Sequence, residues 1–264
     1  MKTKKDLIEQ LLLENNNCSQ ISKKLSIPYS TVIYIVKKYN LTVLKKFQRL
    51  NVNHDYLDDI NTPNKAYVLG YFFADGCIEN RIKVKRIRFN SAINDFEIIE
   101  FIKNEISPET KLSINKIKRE NLIINNKKVK NQQDTVCFGV VSEKIVDKLH
   151  CDFNVSYDKT YSQNKFNFKI IPDFFLRDFI RGYFDGDGSI HGRVDFVSMN
   201  HEFLKQIKDI LKENFNIESK FEIIENRNKI GYLITKQIKD FYDSIYYENC
   251  ICLNRKRDKF LNYI

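Results

Sequence analysis

Two aspartates, Asp75 and Asp187, close two stretches that are versions of one another: Gly70-Tyr71-Phe72-Phe73-Ala74-Asp75-Gly76 and Gly182-Tyr183-Phe184-Asp185-Gly186-Asp187-Gly188. Every matched pair shares one offset (187 − 75 = 112; 182 − 70 = 112), the mark of an internal duplication. Ala66, Leu69, Gly70, Phe73 and Ala74 recur at helical spacing, so each acid falls at the C-terminal end of a helix. There it opposes the negative end of the helix dipole and serves no cap. Small residues four apart, Gly70 with Ala74 and Gly182 with Gly186, let two such helices meet backbone to backbone. The two carboxylates would then converge. A divalent cation with a preference for carboxylate oxygen, Mg²⁺ above all or Mn²⁺, resolves that conflict better than two acids that merely end surface helices. Gly76 and Gly188 are expected at the position after the helix, in the left-handed conformation.

The elements around these helices repeat as well. After the first motif, Arg81, Lys83 and Lys85 alternate with Ile82 and Val84, and then Arg86 and Arg88 alternate with Ile87 and Phe89. The change of phase marks a turn or bulge, with cations lining a face on both sides of it. Residues 95–106 return to helical spacing, two strands follow with a long polar loop over 119–134 between them, and 142–149 is a short helix. Phe89, Ser91 and Phe96 match Phe196, Ser198 and Phe203 at an offset of 107, so the second hairpin is five residues shorter (112 − 107 = 5). The plan is αββαββα twice, over 62–170 and 171–264. The fold class is α+β.

Residues 1–45 read as a separate all-α domain of three short helices with a tight turn between the second and third, ahead of which stands Pro28. The arrangement is that of a helix-turn-helix whose third helix enters a major groove. Tyr29, Ser30, Thr31 and Tyr34 would then approach bases, and Lys37, Lys38 and Lys23 phosphates. The competing reading is a small bundle that docks on the rest of the chain. Residues 46–61 lose periodicity and are expected to be a polar linker.

Over 264 residues, 42% hydrophobic and 30% charged side chains describe a globular protein, and a formal net charge of +10 favours a nucleic-acid partner. The six cysteines are scattered without zinc-site spacing and are expected to be reduced. No apolar run approaches membrane-spanning length. An intracellular protein is expected, cytoplasmic or nucleoid-associated, or organellar in a eukaryote.

The two G-Y-F-x-x-D-G copies, the lead-in Ile60-Asn61-Thr62-Pro63-Asn64-Lys65-Ala66-Tyr67 and the closing Leu253-x-Arg255-Lys256-x-x-Lys259-Phe260 resemble the LAGLIDADG homing endonucleases in their single-chain, two-motif form. The resemblance covers about residues 56–264, and a helix-turn-helix attached to such a core is similar to some phage and bacterial members. It implies a monomer with internal pseudo-two-fold symmetry whose two repeats form a saddle over double-stranded DNA. It also implies Mg²⁺- or Mn²⁺-dependent cleavage of one phosphodiester on each strand, with Asp75 and Asp187 as metal ligands. A basic residue where the last strand meets the final helix falls on Lys236 in the second repeat. In the first repeat the aligned residue is Glu143, with Lys144 beside it. Phe73 departs from the acid found at that motif position, which Asp185 keeps. The saddle makes Arg81, Lys83, Lys85, Arg86, Arg88, His191, Arg193, Lys220 and Lys229 candidate DNA contacts. Two rivals share the fold: a DNA-binding regulator that has lost catalysis, and an intron RNA maturase, for which RNA is the partner.

Overall fold

The structure is a computed structural model, which describes residues 2–14, 16–43, 51–81, 84–116, 123–124, 127–128, 133–159, 161–224 and 229–264. Lys83 lies outside the described residues, as do residues 44–45 of the expected helix-turn-helix domain, residues 46–50 of the expected linker and the side chain of Arg81. The chain forms two compact units, residues 1–52 with 107–109, and residues 53–106 with 110–264.

The first unit holds α1 (Lys4–Leu13), α2 (Cys18–Leu25) and α3 (Tyr29–Lys38). Thr3 with Asp6, and Asn17 with Gln20, form reciprocal capping boxes that satisfy the first free amides of α1 and α2. Ile8, Leu12, Cys18, Ile21, Val32, Ile35 and Val36 bury the shared core. Residues 26–28 turn the chain from α2 into α3, with Ser26 left-handed at φ 52° and Ser22 Oγ donating to the Ile27 carbonyl at 2.7 Å.

The second unit runs α4 (Pro63–Asp75), β1 (Gly76–Arg81), β2 (Val84–Ala92), α5 (Phe96–Ile106), β3 (Ser113–Asn115), β4 (Ile123–Ile124), β5 (Lys127–Lys128), β6 (Thr135–Val141) and α6 (Glu143–Cys151). It then repeats as α7 (Leu176–Asp187), β7 (Ser189–Ile190), β8 (Val194–Ser198), α8 (His201–Phe215), β9 (Lys220–Ile224), β10 (Ile230–Thr235) and α9 (Ile238–Ile245), and adds α10 (Asn254–Phe260). Two antiparallel four-stranded sheets result, ordered β1-β2-β6-β3 and β7-β8-β10-β9. Period-two alternation sends Ile87, Phe89, Phe138 and Val140 to one face of the first sheet, and Val194, Phe196 and Leu233 to one face of the second, all buried. Burial of each such side chain stabilises the fold by about 1.5–3 kcal/mol.

Three expectations change. The linker reading fails for residues 53–61, where Tyr56, Leu57 and Ile60 are buried in the second unit. Three apolar residues among nine give no run long enough to register as a period. The polar loop over 119–134 contains a hairpin, with β4 paired to β5. Gly76 and Gly188 are extended rather than left-handed (φ −81° and −77°). They are glycines for lack of space: a Cβ on Gly76 would come within 2.5 Å of the Phe72 carbonyl, and one on Gly188 within 2.7 Å of the Phe184 carbonyl.

Candidate active site and nucleic-acid interface

The site is built where α4 and α7 run against each other. A Cβ on Gly70 would lie 2.0 Å from the Phe179 carbonyl oxygen, and one on Gly182 2.1 Å from that of Tyr67. Only glycine permits this approach, and the expected pairing of the two helices is what the backbone adopts. One turn further on, a Cβ at Gly186 would stand 3.7 Å from Asp75 Cγ. The two terminal aspartates are therefore neighbours.

Their surroundings differ. Asp75 is half-buried and accepts from Ser91 Oγ at 3.2 Å, and that hydroxyl lies 2.8 Å from Tyr71 Oη. Asp187 has no such bond among the described residues, and it opens to solvent. Protein packed on its other sides, followed by the Asp75 charge, pushes its pKa up to about 6.

Two lysines complete the centre, and sequence reasoning gave neither a role. Lys159 Nζ donates to the carbonyls of Phe72, Phe73 and Ala74 at 3.0, 2.6 and 2.9 Å. Lys256 Nζ donates to those of Phe184, Gly186 and Gly188 at 2.8, 3.0 and 2.7 Å. Each ammonium thus sits on the last carbonyls of one motif helix, where Phe72 and Phe184 also accept the Gly76 and Gly188 amides, and sets positive charge at the helix's negative end. Burial lowers both to about 8, while the charges of Asp75 and Asp187 pull the other way. Each follows the last helix of an αββαββα unit, but at unequal distances from its aspartate (159 − 75 = 84; 256 − 187 = 69). No fixed offset marks them.

The lysines that were expected here lie elsewhere. Lys144 is bound by Asp55, at 2.5 Å, and by Asp58. Lys236 is exposed at the rim of a hollow of about 570 Å³ that Arg193 and Lys220 also line. The register aligns Ser189 with Asp195 and Asp195 with Ile234, so Lys236 stands two residues, roughly 7 Å, beyond Ser189 along the sheet.

The position equivalent to Phe73 explains its departure from an acid. Phe73 stacks on Phe203 at 4.0 Å and meets Phe166 edge-on at 5.2 Å. Its counterpart Asp185 is buried, accepts from Tyr67 Oη at 2.7 Å and from the Leu253 amide at 2.8 Å, and is pushed up to about 7 by burial. It ties α4 to the segment that leads into Lys256.

Of the candidate DNA contacts, Arg86 and Arg88 share the open face of the first sheet with Glu79, which binds both. Lys85 corrects the expectation: β2 runs in one phase from Val84, so Lys85 faces the side opposite Arg86 and Arg88, held by Asp147 at 2.5 Å and Glu143 at 3.3 Å of α6. In the second repeat Arg193 pairs with Asp195 at 2.8 Å and Lys220 with Glu222, while His191 and Lys229 are exposed at turns. In the first unit Tyr29, Ser30, Tyr34, Lys37 and Lys38 are exposed and Thr31 is half-buried. Lys38 Nζ lies 5.5 Å from the centroid of the Tyr34 ring.

Among the described residues no group of three or more His, Cys, Asp or Glu side chains is placed to hold a metal. The Asp75–Asp187 pair supplies two carboxylates. That donor set fits Mg²⁺, which keeps several waters and takes one or two carboxylates together with substrate phosphate. No helix among the described residues is long and apolar enough to cross a membrane.

Residues 174–261 match the family model of the LAGLIDADG-like domain. An uncharacterised protein of Methanocaldococcus jannaschii is 24% identical over 209 residues, which cover 78% of this chain and 68% of that protein. Among solved structures, I-DmoI in complex with DNA and Ca is similar at a TM-score of 0.52 and 13% identity, over 76% of this chain and 98% of that one. The homing endonuclease I-WcaI bound to its DNA recognition sequence is similar at a TM-score of 0.52 and 16% identity, over 83% of this chain and 97% of that one.

Proposed function

We propose that this LAGLIDADG-family chain is a site-specific homing endonuclease that makes a double-strand break in a long DNA target, using Mg²⁺ or Mn²⁺ held by Asp75 and Asp187. The observation that carries the reading is the convergence of two carboxylates at the meeting ends of α4 and α7, each helix end closed by its own lysine. A cation bound there would lower the pKa of a water and neutralise charge on the departing oxygen.

The chain's own residues do the rest. Ser91 and Tyr71 fix the direction of the Asp75 carboxylate, and Asp187 faces the opening through which a phosphate arrives. Lys159 and Lys256 occupy the helix-end carbonyls, leaving the two carboxylates as the acceptors at the mouth. Their positive charge also favours a phosphodiester there. Arg86, Arg88, His191, Arg193, Lys220, Lys229 and Lys236 line the way along the DNA, and the exposed residues of α3 act as a helix-turn-helix reading a flanking segment. With a net charge of +10, affinity falls steeply with salt. Both motifs lie on one polypeptide, so a monomer suffices. Because only Asp75 carries the Ser91 bond, the two strands are cut at different rates.

The test incubates the purified full chain with duplex DNA of its own locus lacking the coding insertion, with and without Mg²⁺, and sequences any ends. Metal-dependent breaks at one locus support the reading. Tight binding to DNA that stays intact under every condition would overturn it in favour of a regulator.

A further inference from the structure

We infer that the two halves of the DNA target are read by opposite chemistry at one pseudo-symmetric position: Arg88, oriented by Glu79 and Cys137, reads a guanine under the first sheet, and Asp195 offers guanine no donor at the matching position under the second. The inference rests on the proposed function and names what its interface recognises.

The duplication defines the matching positions. Cys77 pairs with Arg88 in the first sheet and Ser189 with Asp195 in the second (189 − 112 = 77; 195 − 107 = 88). Equivalent places on the two open faces thus carry an arginine and an aspartate.

Arg88 is held from two sides. Its Nη1 donates to Glu79 Oε1 at 2.8 Å and its Nε donates to Cys137 Sγ at 3.1 Å. A guanidinium carries five N–H donors in a rigid fork. With Nε and one Nη1 hydrogen engaged, the remaining hydrogens lie at the tip, on Nη1 and Nη2. That pair matches the O6 and N7 acceptors of guanine in a major groove. The side chain is 42% exposed, so the tip is available, whereas Glu79, at 19%, is withdrawn and shared with Arg86. The neighbour across the row is Gly139, where even a Cβ would come within 3.6 Å of Arg86 Cδ and 3.8 Å of Arg88 Cγ. Both arginine stems therefore lie flat across β6.

Asp195 has the reverse chemistry. It is buried, its Oδ1 stands 2.8 Å from Arg193 Nε, and an ionised carboxylate only accepts. It offers no donor, so nothing at this place in the second half matches the O6 and N7 acceptors of guanine. Arg193 forms an ion pair with Asp195 by proximity, without a directed hydrogen bond to its Oδ1.

The test binds the full chain to a duplex library randomised across the target length and reads the retained sequences for the wild type, Glu79→Ala and Arg88→Lys. The wild type is expected to retain guanine at one position of one half and to show no guanine preference at the mirror position. A good bidentate contact discriminates by roughly 5- to 150-fold, and both variants should lose that preference while preferences elsewhere in the target persist. The exchange Arg88→Asp with Asp195→Arg should move guanine to the other half. Guanine retained equally in both halves, or a Glu79→Ala profile identical to the wild type, would overturn the inference. Retention of no DNA at all would overturn the proposed function and the inference with it. A wild-type profile with specificity but no guanine at this position would overturn the inference alone.

Discussion

Gly182→Ala is the sharpest perturbation of the centre, because two effects of opposite sign meet there and their sizes differ. In an open helix the change gains about 1 kcal/mol from helix propensity. Here the new methyl would stand 2.1 Å from the Tyr67 carbonyl oxygen and 2.9 Å from the Tyr71 amide nitrogen, both backbone atoms. Ordinary contact begins near ~3.5 Å, so α4 and α7 must part by more than about 1 Å. Overpacking of this kind costs about 3 kcal/mol at the upper end of the usual range, since neither obstacle is a side chain that can swing away. The net expectation is a loss of about 2 kcal/mol, or roughly 4–8 °C in melting temperature for a unit of this size. The same parting separates Asp75 from Asp187, and a displacement of about 1 Å at a reacting centre lowers turnover on the order of 100-fold. Thermal melts and single-turnover cleavage measure the two effects. Gly139→Ala is the control, since its new methyl meets nothing nearer than 3.6 Å and should leave the melt unchanged. A Gly182→Ala protein as stable and as active as the wild type would refute the backbone-to-backbone contact and the convergence built on it.

Two further outcomes follow from charge. Asp187, with its pKa raised from 3.8 to about 6, binds its proton more tightly folded than unfolded, so the metal-free protein loses stability as pH rises through that window. Two units correspond to about 3 kcal/mol, which solvent at the open side reduces to about 1–2. Asp187→Asn should therefore melt higher than the wild type in chelator above pH ~7, converge with it near pH ~4, and bind DNA without cutting it; undiminished cutting would remove Asp187 from the reaction. Lys256→Met takes the ammonium from the Gly186 and Gly188 carbonyls, at about 1–3 kcal/mol each, while the Phe184 carbonyl keeps the Gly188 amide at 2.8 Å; against this stands about 3 kcal/mol regained by not burying an ammonium whose pKa has fallen to about 8. A net loss of about 1 kcal/mol is expected near pH ~7, because the two carbonyls left without a donor outweigh the regained desolvation. Wild-type stability should rise between pH ~8 and ~10.5, where the unfolded chain binds the extra proton, and the variant should lack that rise; parallel pH curves in urea melts would contradict it.

What was legible in the sequence is what repeats locally. The fixed offset of 112, the helical apolar spacing and the small residues four apart were enough to pair α4 with α7 and to place Asp75 beside Asp187. Features set by tertiary packing were hidden. Gly76 and Gly188 looked like left-handed caps because glycine commonly serves that purpose, whereas the Phe72 and Phe184 carbonyls and rings exclude any side chain from extended backbone. Lys85 looked like a member of a cationic face, but the phase of β2 assigns it to α6. Tyr56, Leu57 and Ile60 hid in a polar stretch.

Lys159 and Lys256 are the instructive case, because they bear on the argument for a metal. Two acids at converging helix ends were read as a conflict that a divalent cation resolves better than two acids that merely end surface helices. The structure relieves part of it without one, since each helix end already has an ammonium on its last carbonyls. If that were sufficient, Asp187 would titrate at its ordinary value despite its neighbours. It does not: with both lysines lowering it, burial and the Asp75 charge still raise it to about 6. The protein thus sets its own lysines against its helix dipoles and leaves the charged form of Asp187 disfavoured, first by the protein packed around it and then by the Asp75 charge. That remaining misfit lies at the solvent-open mouth, where a hydrated divalent cation and a DNA phosphate can both reach it.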